Sequence, residues 1–128
     1  MRAGITELPL EEPARFNPGQ LEQLCARMGE IRAEAEVGHA LQRLSTLLAE
    51  VAMLRHAGGP RDALEDVLSA LVRDAQLIGM ATLARVGRHV LDCLDSGDAT
   101  ALAATLARLD RIGDRSIHAV WDLEDLSG

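Results

Sequence analysis

Four histidines are the side chains of this sequence best suited to nucleophilic or metal chemistry: His39, His56, His89 and His118. His89 is followed four residues later by Cys93, and His118 by Asp122, and both Cys and Asp are metal-ligating residue types. Residues four apart share one face of a helix, so each pair can reach one ion. Neither pair belongs to a Glu-x-x-His or His-Glu-x-x-His signature, and chance surface spacing explains both better. The sequence therefore predicts no metal site and no cofactor.

Other catalytic machinery is also missing from the sequence. The chain has no Lys, since all 13 basic residues are Arg. This excludes Schiff-base chemistry and Lys-based phosphate clamps. The serines carry no nucleophile-elbow motif, and Gly58-Gly59-Pro60 lacks the Lys and the strand of a phosphate-binding loop. We expect a protein that is not an enzyme.

Composition predicts a single all-helical domain. A chain of 128 residues fits one domain with a core of its own. Leu, Ala, Arg and Glu are abundant and favour helices, whereas the aromatic residues that favour strands are limited to Phe16 and Trp121. The fold class predicted from this composition is all-α.

Charge and hydropathy limit the expected binding partners and cellular location of the protein. A formal net charge of −7 opposes nucleic-acid binding, which needs a basic surface. No run approaches the ~20 apolar residues of a membrane span, and the N-terminus lacks the apolar core of a signal peptide. Cys25 and Cys93 are isolated and are expected to be buried thiols. We expect a soluble cytoplasmic protein that contacts neither nucleic acid nor membrane.

The chain begins with a proline-containing segment and then turns to helices. Residues 1–16 are predicted to be a flexible arm, and residues 17–128 a single helical domain. Asn17-Pro18 predicts a helix start, with Asn as the N-cap. Apolar stripes predict helices over residues 17–31 and 35–57. Because the two stripes are out of phase, we expect a bend or break between residues 32 and 38. The sequence does not decide whether these residues form one bent helix or two separate helices.

Three more stripes predict three more helices. The first begins at Pro60 and ends near Ile78, the second spans Ala81 to Leu94, and the third begins at the N-cap Asp98 and passes Ile112. Short connectors favour antiparallel neighbours. The sequence therefore predicts an antiparallel up-down four-helix bundle with an additional N-terminal helix.

The junction Leu77-Ile78-Gly79 and the connector Ser96-Gly97-Asp98-Ala99, in this order of helices, resemble the histidine-phosphotransfer family. The resemblance covers roughly residues 37–117, within an expected core of about 37–121. Family members carry Ala-His-x-Leu-Lys-Gly-Ser, with the acceptor His ten positions before a Gly. Counting back from Gly79 places Ser69 at the acceptor position. Val72 then stands at the Lys place and Arg73 at the Gly place, so the chain resembles a degenerate member that lacks the phosphoacceptor.

Helical phase places Ser69 on a polar side of its helix, as the family geometry requires. The polar side, called the Ser69 face below, consists of Asp62, Glu65, Ser69, Arg73 and Gln76. The resemblance implies that this face docks a response-regulator receiver domain or a histidine kinase. A serine hydroxyl is a poor nucleophile without an activating base, so docking without phosphotransfer is the expected function. Every amphipathic helix has a polar face, which is the plainer explanation of the pattern.

Two alternatives remain open at this point. His89, beside Arg85 and Arg88 on a polar helix side, is the best alternative phosphoacceptor and would make the protein an active phosphotransfer protein. The other alternative is a structural or oligomerisation bundle unrelated to two-component signalling. The extra Leu47 and Leu54 on the helix over residues 35–57 suggest it, because the helix before them or a second copy in a homodimer would have to cover them.

Overall fold

The computed structural model describes residues 13–127, with the side chains of residues 13–120. This part of the chain is all-α and contains no strand, which confirms the predicted fold class. Its five helices are α1 (Pro18–Met28), α2 (Glu30–Ala57), α3 (Arg61–Leu77), α4 (Ala81–Ser96) and α5 (Ala99–Ser127). No helix among the described residues is long and apolar enough to cross a membrane.

Local signals set most helix ends where the sequence predicts them. The Asn17 side chain accepts a hydrogen bond of 3.0 Å from the Gly19 amide at the start of α1. Asp98 Oδ1 likewise accepts one of 3.0 Å from the Ala101 amide at the start of α5. Gly58 and Gly97 end α2 and α4 in the left-handed conformation. Each of these signals acts within a few residues, so the sequence alone is enough to locate them.

The first break in the helices is at Gly29, not between residues 32 and 38. Helix α2 passes through residues 32–38 without interruption, so the chain forms two helices rather than one bent helix. Gly29 has φ 84° and ψ 159°, a conformation that favours glycine. The predicted position is wrong because Ile31 extends the apolar stripe of α1 in sequence. In the structure Ile31 belongs to α2 and is 85% exposed.

Helices α2 to α5 share one apolar core. Helix α2 packs against α3, α3 against α4, α4 against α5, and α5 returns to α2, while α1 packs on α2. The fully buried side chains come from all four helices and include Leu41, Leu44, Leu68, Leu71, Leu83, Val86, Leu109 and Ile112. Burial of one such side chain stabilises a fold by roughly 1.5–3 kcal/mol. This shared core fixes which side of α3 remains in solvent.

Residues 13–17, called the N-terminal strap below, lie outside the helices and are hydrogen-bonded to the turn between α3 and α4 and to the first turn of α4. The Arg15 amide donates to Thr82 Oγ1 at 2.8 Å, and the Thr82 amide donates back to the Arg15 carbonyl at 3.3 Å. Phe16 packs against the core. Arg15 and Phe16, which the sequence assigned to the flexible arm over residues 1–16, therefore contact the helical domain, and residues 1–12 lie outside the described residues.

The two cysteines are more accessible than the sequence predicts. Cys25 is exposed on α1 and Cys93 is half-buried on α4. The expectation of a buried thiol is wrong for Cys25, because α1 buries only Leu24 deeply, and it holds only in part for Cys93. The remaining sides of this short helix face solvent.

Candidate functional site

The Ser69 face lies on the solvent-exposed side of α3. Asp62, Ser69, Arg73 and Gln76 are exposed, and Glu65 is half-buried. On the opposite side of α3, Leu68, Leu71 and Ala75 are fully buried, which holds the helix in a single orientation. The residues that the sequence places together on one face therefore share a rigid surface.

Position 72, which the resemblance equates with the family's Lys, is not part of this surface. Val72 is only 9% exposed and packs between α3 and α4. A Cβ at Gly87 would lie 2.7 Å from Val72 Cγ2, so the two helices approach closely at this point. Position 72 therefore holds an aliphatic side chain that packs between α3 and α4, and it places no cation beside Ser69.

Position 73, which the resemblance equates with the family's Gly, carries the exposed Arg73. This side chain stands four residues after Ser69 and so on the same helix side. Arg73 forms no ion pair with any residue that the structure describes. Ser69 is therefore bordered by the cationic side chain of Arg73, which pairs with no carboxylate among the described residues.

A buried carboxylate beside the Ser69 face joins α3 to α2. Arg43 Nε lies 3.1 Å from Asp74 Oδ2, and Arg43 Nη2 lies 3.3 Å from Asp74 Oδ1. Arg43 Nη2 also reaches Glu36 at 3.4 Å. The hydrogen bond from Arg43 to Asp74 is the main reason that the pKa of the Arg43 guanidinium is raised above its usual value. This fork holds α2 and α3 in register.

Replacement of Asp74 by Asn is expected to lower the free energy of unfolding by about 1–2 kcal/mol, because a largely buried charge-assisted fork is lost. Asp95→Asn is the matched control. Its pair with Arg61 is 2.9 Å long, similar to the 3.1 Å between Arg43 and Asp74, but the Asp95 side chain is 75% exposed against 13% for Asp74. We expect a change within about 0.5 kcal/mol for the control. Urea unfolding measures the free energy of unfolding of the two variants, and an equal loss in Asp74→Asn and Asp95→Asn would contradict the prediction.

Helix α1 and the strap close the C-terminal end of the Ser69 face. Gln20 Nε2 donates to the Gln76 carbonyl at 3.0 Å. The Asn17 amide donates to the Gly79 carbonyl at 2.6 Å. A Cβ at Gly79 would meet the Asn17 carbonyl oxygen at 2.5 Å, so the strap crosses this turn in direct contact with its backbone. The C-terminal end of α3 is therefore bounded by α1.

With this geometry established, the chain matches no known family model, no curated protein and no solved structure. Its function has to be argued from the chemistry of the surface.

All four histidines are exposed, and they lie on different helices or helix ends. His89 is on the outer side of α4 beside Arg88, and His56 is next to the last residue of α2. His118 Nδ1 lies 2.8 Å from the Asp114 carbonyl oxygen within α5. Among the described residues, no three His, Cys, Asp or Glu side chains are grouped to hold a metal. The histidines therefore do not form a shared centre.

Sequence reasoning missed the groove that His39, Arg43 and Asp74 form with Arg73 between α2 and α3. No role at a shared site was predicted for His39 or Arg43. One signal was available, because Asp74 adjoins the apolar positions Leu71 and Ala75. A carboxylate at the edge of a buried stripe needs a cation from a neighbouring helix. The identity of that cation depends on which helix packs there.

Proposed function

We propose that this chain is a non-catalytic docking module of two-component signalling, similar to a histidine-phosphotransfer domain. In this proposal α2 to α5 form an antiparallel up-down bundle and α1 is an additional N-terminal helix. The Ser69 face binds a receiver domain or a histidine kinase in the cytoplasm. The chain passes no phosphoryl group to its partner.

One observation supports this proposal most directly. Ser69 is exposed in the middle of a 17-residue helix whose opposite side is fully buried. A rigid exposed side chain at mid-helix suits recognition by a second folded domain, because little ordering entropy is lost on binding. Asp62 and Arg73 place opposite charges on the same face, which favours a partner whose surface carries the complementary charges.

The chemistry at Ser69 argues against phosphotransfer. The Ser69 hydroxyl forms no hydrogen bond with any described residue, so no base is placed to activate it. Val72 is buried where a cation would be needed. A phosphate ester on serine also lacks the high transfer potential of a phosphorylated histidine.

The apolar side chains that suggest an oligomerisation role have contacts within the chain. Leu47 packs against the core. Leu54 covers the turn after α2, where a Cβ at Gly59 would lie 2.6 Å from Leu54 Cδ2. A second copy is therefore not needed to bury these two residues, and the docking proposal is favoured over the oligomer.

Replacement of Ser69 by Trp is expected to weaken binding of a receiver domain or histidine kinase by at least about tenfold, because a bulky group at the centre of an interface blocks close packing. Ala103→Trp, at an exposed position on α5, is the matched control and should bind as the wild type does. Calorimetric titration with a panel of receiver and kinase domains measures both. Equal effects of the two variants, or no binding by any panel member, would refute the docking surface.

A second measurement on the same proteins separates docking from relay. Incubation with a phosphorylated receiver should leave no acid-labile label on the wild type. A histidine-phosphotransfer domain that carries its acceptor His serves as the positive control for the phosphodonor. A label on the wild type that His89→Ala removes would replace the docking proposal with phosphotransfer through His89.

A further inference from the structure

An open groove of about 680 Å³ runs between α2 and α3, next to the Ser69 face. Its polar lining consists of His39, Gln42, Arg43 and Thr46 from α2 and of Arg73 and the carboxylate Asp74 from α3. Leu47 and Ala70 supply apolar lining. The groove is therefore a concave site with several polar groups and some apolar surface, as in many binding sites.

Arg43 is held in this groove in a fixed orientation. Its Nε and Nη2 atoms face Asp74, and Nη2 also faces Glu36. These two carboxylates offset the charge of Arg43. The Nη1 atom makes no hydrogen bond that involves another described residue. Arg43 therefore keeps a positioned N–H donor group, although its charge is already paired.

Arg73 supplies the unpaired charge of the groove. Its guanidinium is exposed and pairs with no described carboxylate. His39 on the facing helix is also exposed and forms no hydrogen bond within the described part of the chain. In a protein of net charge −7, a groove with a free guanidinium and further N–H donors is locally suited to an anion.

We propose that the groove between α2 and α3 binds an oxyanion, a carboxylate or a phosphoryl group, presented by an acidic segment of the docked partner protein. Arg73 binds the anion with its planar fork of donors, and Arg43 and His39 add donors from α2. Leu47 and Ala70 contact the aliphatic part of the side chain that carries the anion. The partner rests on the proposed docking function, whereas the anion site can be measured on this protein alone.

The test is an NMR titration of the full chain with sodium phosphate and, separately, with sodium acetate at constant ionic strength. The expected result is a saturable shift of the Arg73 side-chain Nε–H and of the amides of residues 39–46, with a Kd of the order of 1 mM. Arg73→Gln should weaken binding by about fivefold or more. Arg85→Gln, which removes an exposed Arg of α4 outside the groove, should leave it unchanged.

The two titrations also identify the source of the oxyanion. Saturation by phosphate alone assigns a phosphoryl group, saturation by acetate alone assigns a carboxylate, and saturation by both supports an oxyanion site that accepts either group. A linear, non-saturating response in the wild type, or the same affinity in Arg73→Gln, overturns the proposal. Because no receiver or kinase is present in the titration, a failure of docking and a failure of this site give different results.

Discussion

Replacement of Gly79 by Ala is expected to lower the free energy of unfolding by about 3 kcal/mol and to detach the N-terminal strap. Gly79 has φ +78°, where a side chain costs roughly 1–2 kcal/mol. The new Cβ would also lie 2.5 Å from the Asn17 carbonyl oxygen. This oxygen belongs to the backbone and cannot rotate away, so the hydrogen bond from the Asn17 amide to the Gly79 carbonyl must break.

Gly97→Ala is the matched control for this prediction. Gly97 has nearly the same backbone conformation, φ +74°, but a Cβ there would meet no atom within 4 Å. Its cost should stay within the ~1–2 kcal/mol of the conformation alone. Urea unfolding gives the two losses, and hydrogen exchange at the Asn17 amide reports the strap. Equal losses, with protection of Asn17 retained, would show that the strap does not depend on Gly79.

Replacement of Gly87 by Ala is expected to lower the free energy of unfolding by about 1–3 kcal/mol, as overpacking does in well-packed cores. The added Cβ would lie 2.7 Å from Val72 Cγ2 and 3.4 Å from Leu71 Cδ2. Both neighbours are themselves buried, so relief requires α3 and α4 to move apart. Thermal unfolding monitored by circular dichroism measures the loss.

The opposite sign is expected for the same substitution at Gly38. Gly38 also lies within a helix, but a Cβ there would meet no atom within 4 Å. Ala should therefore stabilise α2 by about 0.5–1 kcal/mol through its helix propensity. A loss at Gly38, or a gain at Gly87, would contradict the packing that distinguishes the two glycines.

A double-mutant cycle checks the cause of the Gly87 effect. Val72→Ala removes the methyl groups nearest to the new Cβ. The Gly87→Ala, Val72→Ala protein should be no less stable than Val72→Ala alone, because the collision has been removed. Additive losses would place the strain elsewhere. The result also bears on Ser69, since the packing of Val72 under Gly87 sets which side of α3 faces outward.

The sequence predicted local features of the fold well. Asn17 and Asp98 cap their helices as expected, because each cap is a hydrogen bond to an amide two or three residues away. The exposed side of α3 was also predicted from its 3.6-residue period. The break at Gly29 was misplaced because Ile31 continues the apolar period across it while lying 85% exposed.

The candidate site was only partly predictable. Ser69 was placed on an exposed face from its own helix alone, and the structure has it exposed. The fork between Arg43 and Asp74 joins residues 31 positions apart, and no local pattern pairs them. The burial of Val72 was missed for the same reason, because its partner Gly87 lies on the next helix.

The sequence by itself therefore determined the helical class, the capped helix ends and the polar side of α3, since each depends on contacts within about one helical turn. Only the tertiary structure decided that the strap crosses Gly79, that Val72 packs against Gly87 and that Arg43 and Arg73 share a groove. Each of these depends on which helices meet and how closely. The pairing and the separation of the helices are set by side-chain packing between distant segments of the chain. The apolar period of a single helix carries no information on that packing.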